Sequence, residues 1–166
     1  MPVKLKNILQ ELSMRYKRIR TGVAIGFDDA TVVAELKNIR GGVWMSCKSA
    51  PELPYDDAQF EVAVVSSNAI SREMAREVNR ILLPDGCMFF SVNEKSGSQD
   101  GLSAPEVYKI VREGFDILAV HGPKWWMFGL AGRTLTVCAK KKAWREHRGL
   151  RRDGVYIFNP FEKLQR

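Results

Sequence analysis

The sequence predicts one α/β domain in which a mostly parallel sheet carries helices on both faces. Short apolar runs alternate with amphipathic segments, and the connections between them are short. Residues 60–66 are nearly all apolar, which is typical of a strand covered on both faces of a parallel sheet. With 166 residues, 45% of them hydrophobic, the chain can bury one core of ordinary size. We therefore predict a domain over residues 1–142 and a basic extension over residues 143–166.

The N-terminal part is predicted to contain two helices and two strands. An apolar stripe at three- and four-residue steps predicts the first helix, and its members are Leu5, Ile8, Leu9, Leu12 and Tyr16. A short strand over residues 23–25 precedes a helix over residues 32–39, which Asp29 is expected to cap. The glycine pair at 41 and 42 ends that helix, so residues 43–47 are predicted to form the next strand.

The second half is predicted to continue this alternation. Residues 48–59 contain two prolines and form a loop before the strand at residues 60–66. A helix over residues 71–83 is predicted to end at Pro84-Asp85-Gly86, where a buried strand over residues 87–92 begins. Ser103 and Glu106 form a capping box, with a proline in the first turn, which starts a helix through residue 112. The remaining strands are predicted at residues 115–120, 134–139 and 154–158.

Three short motifs follow one another in a distinctive order between residues 53 and 86. Leu53-Pro54 is followed by Phe60-Glu61-Val62, and then by Arg76-Glu77-Val78-Asn79-Arg80-Ile81-Leu82-Leu83-Pro84-Asp85-Gly86. This order resembles the second half of the class I S-adenosylmethionine-dependent methyltransferases, whose usual pattern is Leu-Pro-Phe, Phe-Asp-x-Val and Arg-Glu-x-x-Arg-Val-Leu-Lys-Pro-Gly-Gly. The resemblance covers about residues 22–140. It implies a Rossmann-like methyltransferase fold with a C-terminal antiparallel strand pair, S-adenosylmethionine as cofactor, and methyl transfer to an unknown acceptor.

The family's cofactor loop is reduced in this chain, and two registers compete. The family's first strand leads into a Gly-x-Gly turn, because glycine lets the backbone approach the cofactor, but here only Gly26 is present. In one register, residues 23–26 are that first strand, and one strand–helix unit is lost near the sheet edge. In the other, Gly26-Phe27-Asp28 ends the second strand, and the central first strand is missing. We favour the first register, because losing a central strand would leave buried backbone groups unpaired.

The resemblance also implies where ligands bind. In such folds the ligand lies outside the carboxyl ends of the strands, where the strand order reverses. The residues that this rule assigns to the cofactor are Gly26, Phe27, Asp28, Ser49, Ala50 and Ser66, and those assigned to the substrate are Ser67 and Asn68. The alternative for Asp28 is a carboxylate that the dipole of the following helix stabilises. No catalytic residue is assigned, because methyl transfer needs mainly in-line positioning.

Basic residues are concentrated at both ends of the chain. The net charge is +7, and residues 1–20 have six basic side chains against one acidic, while residues 139–166 have nine against three. The middle of the chain is therefore net acidic. Basic ends of this kind bind nucleic acid in some proteins and are simply solvated in others. Nucleic-acid binding through the termini is one expectation, and a solvated surface is the other.

The cysteines, histidines and tryptophans indicate which metal sites, redox motifs and aromatic contacts are expected. Cys47, Cys87 and Cys138 lie too far apart in the sequence for a metal or redox motif, so we expect reduced, buried thiols in a cytoplasmic protein. Two histidines far apart predict no metal site. Trp125 and Trp126 are expected to pack in the core or at a subunit interface, or to stack on a planar substrate. No apolar run approaches the roughly 20 residues of a membrane span.

Two classes of function remain open at this point. The retained C-terminal half favours S-adenosylmethionine-dependent methyl transfer. The glycine-poor loop favours a non-catalytic binding or assembly subunit with the same fold. Either kind of protein could also be RNA-associated and hold phosphates through the basic ends. Titration with S-adenosylmethionine or S-adenosylhomocysteine separates these classes.

Overall fold

The computed structural model describes residues 3–27, 30–93, 101–121, 134–142, 150–152 and 155–157. Four helices and eight strands lie within these ranges. The helices are α1 (Val3–Arg15), α2 (Ala30–Arg40), α3 (Arg72–Ile81) and α4 (Ala104–Val111). The strands are β1 (Thr21–Ile25), β2 (Val43–Cys47), β3 (Phe60–Val65), β4 (Leu82–Asn93), β5 (Phe115–His121), β6 (Thr134–Lys141), β7 (Leu150–Arg152) and β8 (Val155–Ile157).

Six of these strands form one sheet in the order β2-β1-β3-β4-β6-β5. The pairs β1–β2, β1–β3 and β3–β4 are parallel, whereas β6 runs antiparallel to both β4 and β5. Strands β7 and β8 pair with each other as a separate two-stranded sheet. The predicted fold class is confirmed, because the sheet is mostly parallel and ends in an antiparallel strand pair.

Helices cover both faces of the sheet and divide the core in two. The face under α1 and α2 buries Ile8, Leu12, Ala24, Leu36, Val64, Phe89 and Cys138, and we call it the α1/α2 face. The face under α3 and α4 buries Ile25, Val65, Val78, Ile81, Phe90, Val107 and Val137, and we call it the α3/α4 face. Consecutive residues of β3 point to opposite faces, and those from Val62 to Val65 are all fully buried. The double cover explains why the sequence of this strand shows no polar alternation.

Local capping signals fix the starts of α3 and α4. The Ser71 hydroxyl oxygen accepts a hydrogen bond from the Met74 amide at 3.0 Å. The Glu106 carboxylate accepts from both the Ser103 amide, at 2.8 Å, and the Ser103 hydroxyl, at 2.6 Å. These contacts satisfy amides that the first helical turn cannot pair internally. The start predicted from the Ser103–Glu106 pattern is therefore confirmed, with Ser103 outside the helix as its cap.

The junction between α3 and β4 differs from the prediction. The sequence pattern predicts a helix to residue 83 and a strand from residue 87, but α3 ends at Ile81 and β4 begins at Leu82. Leu82 pairs with Phe60, and the register then shifts so that Cys87 pairs with Val62. Pairing with β3 thus extends back past Pro84, because contacts between strands override the local helical pattern.

Strand β1 occupies a central position in the sheet. It pairs with β2 along one edge and with β3 along the other, so neither edge is left open. The order β2-β1-β3 is compatible with both registers, so the choice between them stays a prediction. Strand β2 is then the edge of the described sheet, and its Val43 and Met45 side chains are exposed.

Some predictions fall on residues outside the described ranges. Trp125 and Trp126 are among them, so their interface or stacking role stays a prediction. The helix cap predicted at Asp29 also lies outside these ranges. The last predicted strand is present as β8, but its partner β7 was not predicted. None of the helices in the described part of the chain is long and apolar enough to cross a membrane.

Candidate functional site

The carboxyl ends of β1, β2 and β3 meet at one edge of the sheet. The Gly26 amide donates to the Cys47 carbonyl at 2.9 Å, and the Ser66 amide donates to the Ile25 carbonyl at 2.9 Å. The residue after β1 is thereby tied to the end of β2, and the residue after β3 to the end of β1. Because the strand order reverses between β1 and β3, this edge is where folds of this type bind ligands. We call it the switch point.

Gly26 and the turn over residues 66–69 are in direct contact at the switch point. Gly26 has a φ of +74°, in the left-handed region that favours glycine. A Cβ atom at this position would lie 2.7 Å from both the Ser66 Oγ and the Ala69 Cβ. The turn itself is closed by a 3.1 Å hydrogen bond from the Ala69 amide to the Ser66 carbonyl. Glycine is therefore required here by both backbone conformation and packing.

The Ser66 hydroxyl is buried and has no hydrogen-bond partner among the described residues. A buried polar group without a partner costs roughly 1–3 kcal/mol, and native proteins leave few of them. The next two residues of the turn interact with each other, since the Ser67 hydroxyl donates to the Asn68 side-chain oxygen at 3.3 Å. The unpaired Ser66 oxygen marks the switch point as a place where a bound group would gain a hydrogen bond.

The other residues assigned to the site are less closely grouped. Ser49 is exposed and Ala50 is half-buried in the loop after β2. Phe27 is half-buried and packs against the α1/α2 face. Asp28 lies outside the described residues, so its role stays a prediction. The structure thus brings Gly26 together with the turn that contains Ser66, Ser67 and Asn68.

Arg80 holds the Leu-Pro loop against α3. Its guanidinium donates to the backbone carbonyls of Tyr55, at 2.8 Å, and Leu53, at 3.2 Å. It also pairs with the carboxylates of Asp57, at 2.8 Å, and Glu77, at 2.9 Å. The hydrogen bond from Arg80 lowers the pKa of Glu77. One arginine therefore fixes both the course of the loop and the charge of its neighbour.

Cys47 and Tyr55 interact beside this loop. Burial raises the pKa of the Cys47 thiol. The pKa of Tyr55 is raised to about 12, mainly by burial and to a lesser extent by the contact with Cys47. The Tyr55 ring packs edge-on against Phe60, with ring centroids 4.9 Å apart. Both groups are neutral near pH 7, so neither supplies a general base or a thiolate nucleophile.

Two cavities lined by described residues lie away from the switch point. The first, of about 210 Å³, is lined by Ala75, Arg76, Asn79, Ile110, Glu113, Gly114 and Phe115. The second, of about 450 Å³, is lined by Met45, Leu53, Pro54, Tyr55, Asp56 and Gln59. In the first cavity the charged side chains already pair with each other, Arg76 with Glu113 at 3.1 Å. Neither cavity includes Gly26 or Ser66, so the switch point is identified by topology and an unpaired hydroxyl.

Sequence reasoning missed a polar row on the α1/α2 face. Thr136 is in register with Ser91 on one side and with His121 on the other. The Ser91 and Thr136 hydroxyls are buried and lie 2.8 Å apart. The His121 Nε2 atom lies 2.7 Å from a carboxylate oxygen of the buried Glu11 on α1. The available signal was that Glu11 is the one acidic residue among residues 1–20, but its partner lies near the other end of the domain.

Comparison with known proteins identifies the fold. No protein-family model matches the sequence, and no curated protein matches it. A methyltransferase from Haloferax volcanii, solved in complex with the Trm112 methyltransferase activator, superposes with a TM-score of 0.64 at 15% identity, over 83% of this chain and 88% of that one. The 1,6-didemethyltoxoflavin-N1-methyltransferase of Burkholderia thailandensis, solved with 1,6-didemethyltoxoflavin and S-adenosylhomocysteine, gives a TM-score of 0.65 at 16% identity, over 82% and 77%. The chain has the methyltransferase fold.

The methyltransferase fold confirms the resemblance carried by Leu53 to Gly86. It does not by itself assign an activity, because the [4+2]-cyclase SpnF superposes on the same fold with a TM-score of 0.57 at 15% identity, over 82% of this chain and 79% of that one. The activity therefore depends on the residues at the switch point and not on the fold alone.

Proposed function

We propose that this protein binds S-adenosylmethionine at the switch point and transfers its methyl group to an acceptor that is not yet identified. The observation that carries the proposal is the buried Ser66 hydroxyl, which has no partner among the described residues and lies against the left-handed Gly26, where the strand order reverses. An orphaned hydroxyl at the ligand-binding edge fits a polar cofactor, which would supply its missing partner.

The residues proposed to hold the cofactor are Gly26, Phe27, Asp28, Ser49, Ala50 and Ser66, and Ser67 and Asn68 are proposed to orient the acceptor. The cofactor supplies an electrophilic methyl group when it is bound. The protein's part is to align the acceptor and to exclude water, which is the larger share of what methyl transfer requires. Because the 66–69 turn leaves no room for a Cβ atom at Gly26, we propose that this turn shifts when the cofactor binds.

Isothermal titration calorimetry with S-adenosylhomocysteine and S-adenosylmethionine tests this proposal. Ser66→Ala should weaken binding by about tenfold, because the cofactor loses one hydrogen bond. The same substitution should stabilise the free protein by about 1 kcal/mol, because it removes an unpaired buried hydroxyl. Urea unfolding without ligand measures the second effect. Ser13→Ala, on α1 and away from the switch point, is the control for affinity.

Asp28→Ala gives an independent reading of the same site. If Asp28 accepts the ribose hydroxyls, its removal should weaken binding by about ten- to hundredfold. Unchanged affinity would leave Asp28 as a helix-start carboxylate. A Ser66→Ala variant that is more stable but binds equally well would move the cofactor away from the 66–69 turn.

The second candidate is a non-catalytic binding or assembly subunit with the methyltransferase fold. It is favoured by the single glycine at the loop and by the close packing of Ser66 and Ala69 on it, which leaves little room at that point. The Haloferax volcanii methyltransferase, solved with an activator protein, supports a role for this fold in protein assemblies. Absence of measurable heat with either cofactor form, in a protein that is folded, would favour this candidate.

A further inference from the structure

The six-stranded sheet of the described residues ends in β2 at one edge and in β5 at the other. Strand β5 carries a register shift between Ile117 and Ala119, and Asp116 and His121 add ionisable groups along it. Bulges and charges are means by which native proteins keep edge strands from pairing with other chains. Strand β2 pairs with β1 in uninterrupted register over all five of its residues, and it contains neither a charged residue nor a proline. The β2 edge is therefore the less protected of the two.

The backbone of β2 directs part of its hydrogen-bonding groups away from β1. The Val43 amide donates to the Arg20 carbonyl at 2.8 Å, so Val43 turns toward β1. Groups that bond to one neighbour alternate along a strand with groups that bond to the other, so Trp44 and Ser46 direct their amides and carbonyls to the opposite side. No strand of the described residues lies on that side of β2. These backbone groups are consequently available to another strand.

The side chains of β2 on the α3/α4 face are apolar and incompletely covered. Cys47 packs against the core on this face, and Val43 and Met45 lie on the same side of the strand because side chains alternate. Val43 is 60% exposed and Met45 is 40% exposed, whereas Trp44, on the other face, is 4% exposed. The connection from β2 to β3 is a loop without a helix, which leaves these two apolar side chains in contact with solvent.

An antiparallel copy of β2 matches this edge when Met45 lies on the two-fold axis. Trp44 then faces Ser46 of the second copy, Ser46 faces its Trp44, and each facing pair exchanges two backbone hydrogen bonds. Met45 faces Met45 in the closer kind of pair, with Cα atoms about 4.5 Å apart, and Val43 faces Cys47. One surface thus supplies both halves of the pairing, as a two-fold dimer requires.

The charges beside β2 are complementary in this arrangement. Antiparallel pairing places Lys48, which follows β2, opposite Gly42, which precedes β2 in the other copy. Asp56 lies toward that end of the strand, because its amide donates to the Gln59 side chain and the Gln59 carbonyl accepts from Thr21 at the start of β1. Lys48 and Asp56 are both exposed, and neither has an ion-pair partner among the described residues. Pairing therefore brings a free lysine toward a free carboxylate on both sides of the axis.

The cavity of about 450 Å³ beside β2 can receive a side chain from the second copy. Met45 forms one wall of it, and Leu53 and Tyr55 form others. In the antiparallel arrangement the Met45 side chain of the second copy lies next to this wall. Methionine is flexible and fills irregular gaps, so it suits a cavity of mixed lining.

We infer that β2 is the surface through which two copies of this chain associate, by antiparallel pairing that joins their sheets into one. This inference does not depend on cofactor binding. A five-residue strand extends over about 17 Å, which is a small interface, so the dimer exchanges with the monomer as concentration changes.

Sedimentation equilibrium of the full-length protein, over about 1–300 μM to bracket the affinities of a small interface, tests this inference. The parent protein should pass from monomer to dimer in this range. Ser46→Pro removes an outward amide and keeps the bonds to β1, so it should weaken association by about tenfold or more. Met45→Lys places like charges on the two-fold axis and should leave only monomer. Leu118→Lys, at an exposed position of β5, is the matched control and should dimerise like the parent.

Amide hydrogen exchange measured by NMR at low and high protein concentration gives a second reading, in the parent protein. The amides of Trp44 and Ser46 should become protected as concentration rises, because they gain partners only in the dimer. The Met45 amide, which bonds to β1 in both states, should change little. Urea unfolding of each variant at low concentration distinguishes loss of folding from loss of association.

Three results would contradict the inference. A parent protein that stays monomeric over the whole range would leave β2 to a different partner. A dimer that survives both Ser46→Pro and Met45→Lys would assign association to another surface. A dimer that is lost in Leu118→Lys, with Trp44 and Ser46 unprotected, would place it at the β5 edge.

Discussion

Two glycines with the same backbone conformation have different surroundings in this protein. Gly26 has a φ of +74° and Gly41 a φ of +66°, so both occupy the left-handed region. A side chain at Gly26 would collide with Ser66 and Ala69, whereas one at Gly41 would meet nothing within 4 Å. The pair therefore separates the cost of backbone conformation from the cost of packing at the switch point.

Replacement of each glycine by alanine should reveal this difference. Gly41→Ala should lower the free energy of unfolding by about 1 kcal/mol, the cost of a left-handed alanine. Gly26→Ala should lower it by about 2–4 kcal/mol, because overpacking adds to that cost. Urea unfolding of both variants is the measurement. Equal losses would show that the 66–69 turn moves aside without cost, and the turn would then not seal the switch point.

At the scale of elements, the Leu-Pro loop and α3 form one unit through Arg80 and Glu77. Arg80 donates to the carbonyls of Leu53 and Tyr55, while the Glu77 carboxylate accepts from the Leu53 amide at 3.2 Å. One helix thus satisfies both donors and acceptors of the loop backbone. Such contacts stabilise a long connection that has no regular structure of its own.

This unit should make stability depend on pH. The pKa of Glu77 is lowered in the folded state, first by the hydrogen bond from Arg80. Its contribution is therefore fully present above the unfolded glutamate value of about 4.3 and is lost as pH falls through the lower, folded value. We expect Glu77→Gln to reduce the free energy of unfolding by about 1 kcal/mol at pH 7 and by less at pH 3.

Urea unfolding at a series of pH values between 7 and 3 measures this dependence. Glu52→Gln, at an exposed position in the same loop, is the control and should keep the slope of the parent protein. A Glu77→Gln variant with the parent's slope would assign the acid-dependent stability to other carboxylates.

At the scale of the whole molecule, part of the basic C-terminal surface is already engaged. Lys140 pairs with Asp85 at 2.8 Å, and the Lys141 ammonium donates to the Leu82 carbonyl at 2.7 Å. The Lys142 ammonium donates to the Arg112 carbonyl. These three lysines fasten the end of β6 to its neighbours, so they are less free to bind phosphates than the charge pattern of the sequence indicates.

A salt series separates this structural role from nucleic-acid binding. If the basic tail binds RNA or DNA, reversing the charges of Arg145, Arg148, Arg151 and Arg152 should reduce the log–log salt slope by roughly 0.7–0.9 for each phosphate that the tail no longer neutralises. Filter binding at several salt concentrations is the measurement. Reversing the charges of the three lysines should instead lower the free energy of unfolding. Absence of binding at low salt would leave the tail as a solvated or protein-contacting extension.

The elements that were predicted correctly are those specified by residues adjacent in the sequence. The strand over residues 43–47 is correct in both bounds, because the glycines before it and the polar loop after it are local signals. The extension of β4 back to Leu82 was not predictable, since it depends on pairing with Phe60. The contact of Glu11 with His121 was not predictable for the same reason, because no local pattern at either residue indicates the other.

The proximity of Gly26 and Ser66 was predictable from the sequence, but its details were not. Gly26 and Ser66 were placed together by the rule that parallel strands end at one edge, and the structure brings them into contact. The unpaired state of the Ser66 hydroxyl depends on how the 66–69 turn packs, which no sequence pattern specifies. The diagonal placement of Cys87 and Cys138 on neighbouring strands was missed, because spacing along the chain does not indicate diagonal neighbours in a sheet.

The docking of α1 has a consequence for protein synthesis. This helix is synthesised before β4 and β6, against which it packs, and before β5, where His121 contacts its Glu11. Its apolar stripe therefore has no complete partner until the last strands of the sheet have left the ribosome. During that interval the nascent chain exposes Ile8, Leu9 and Leu12, which are buried in the finished protein. The segment of this domain most in need of chaperone protection during translation is thus α1.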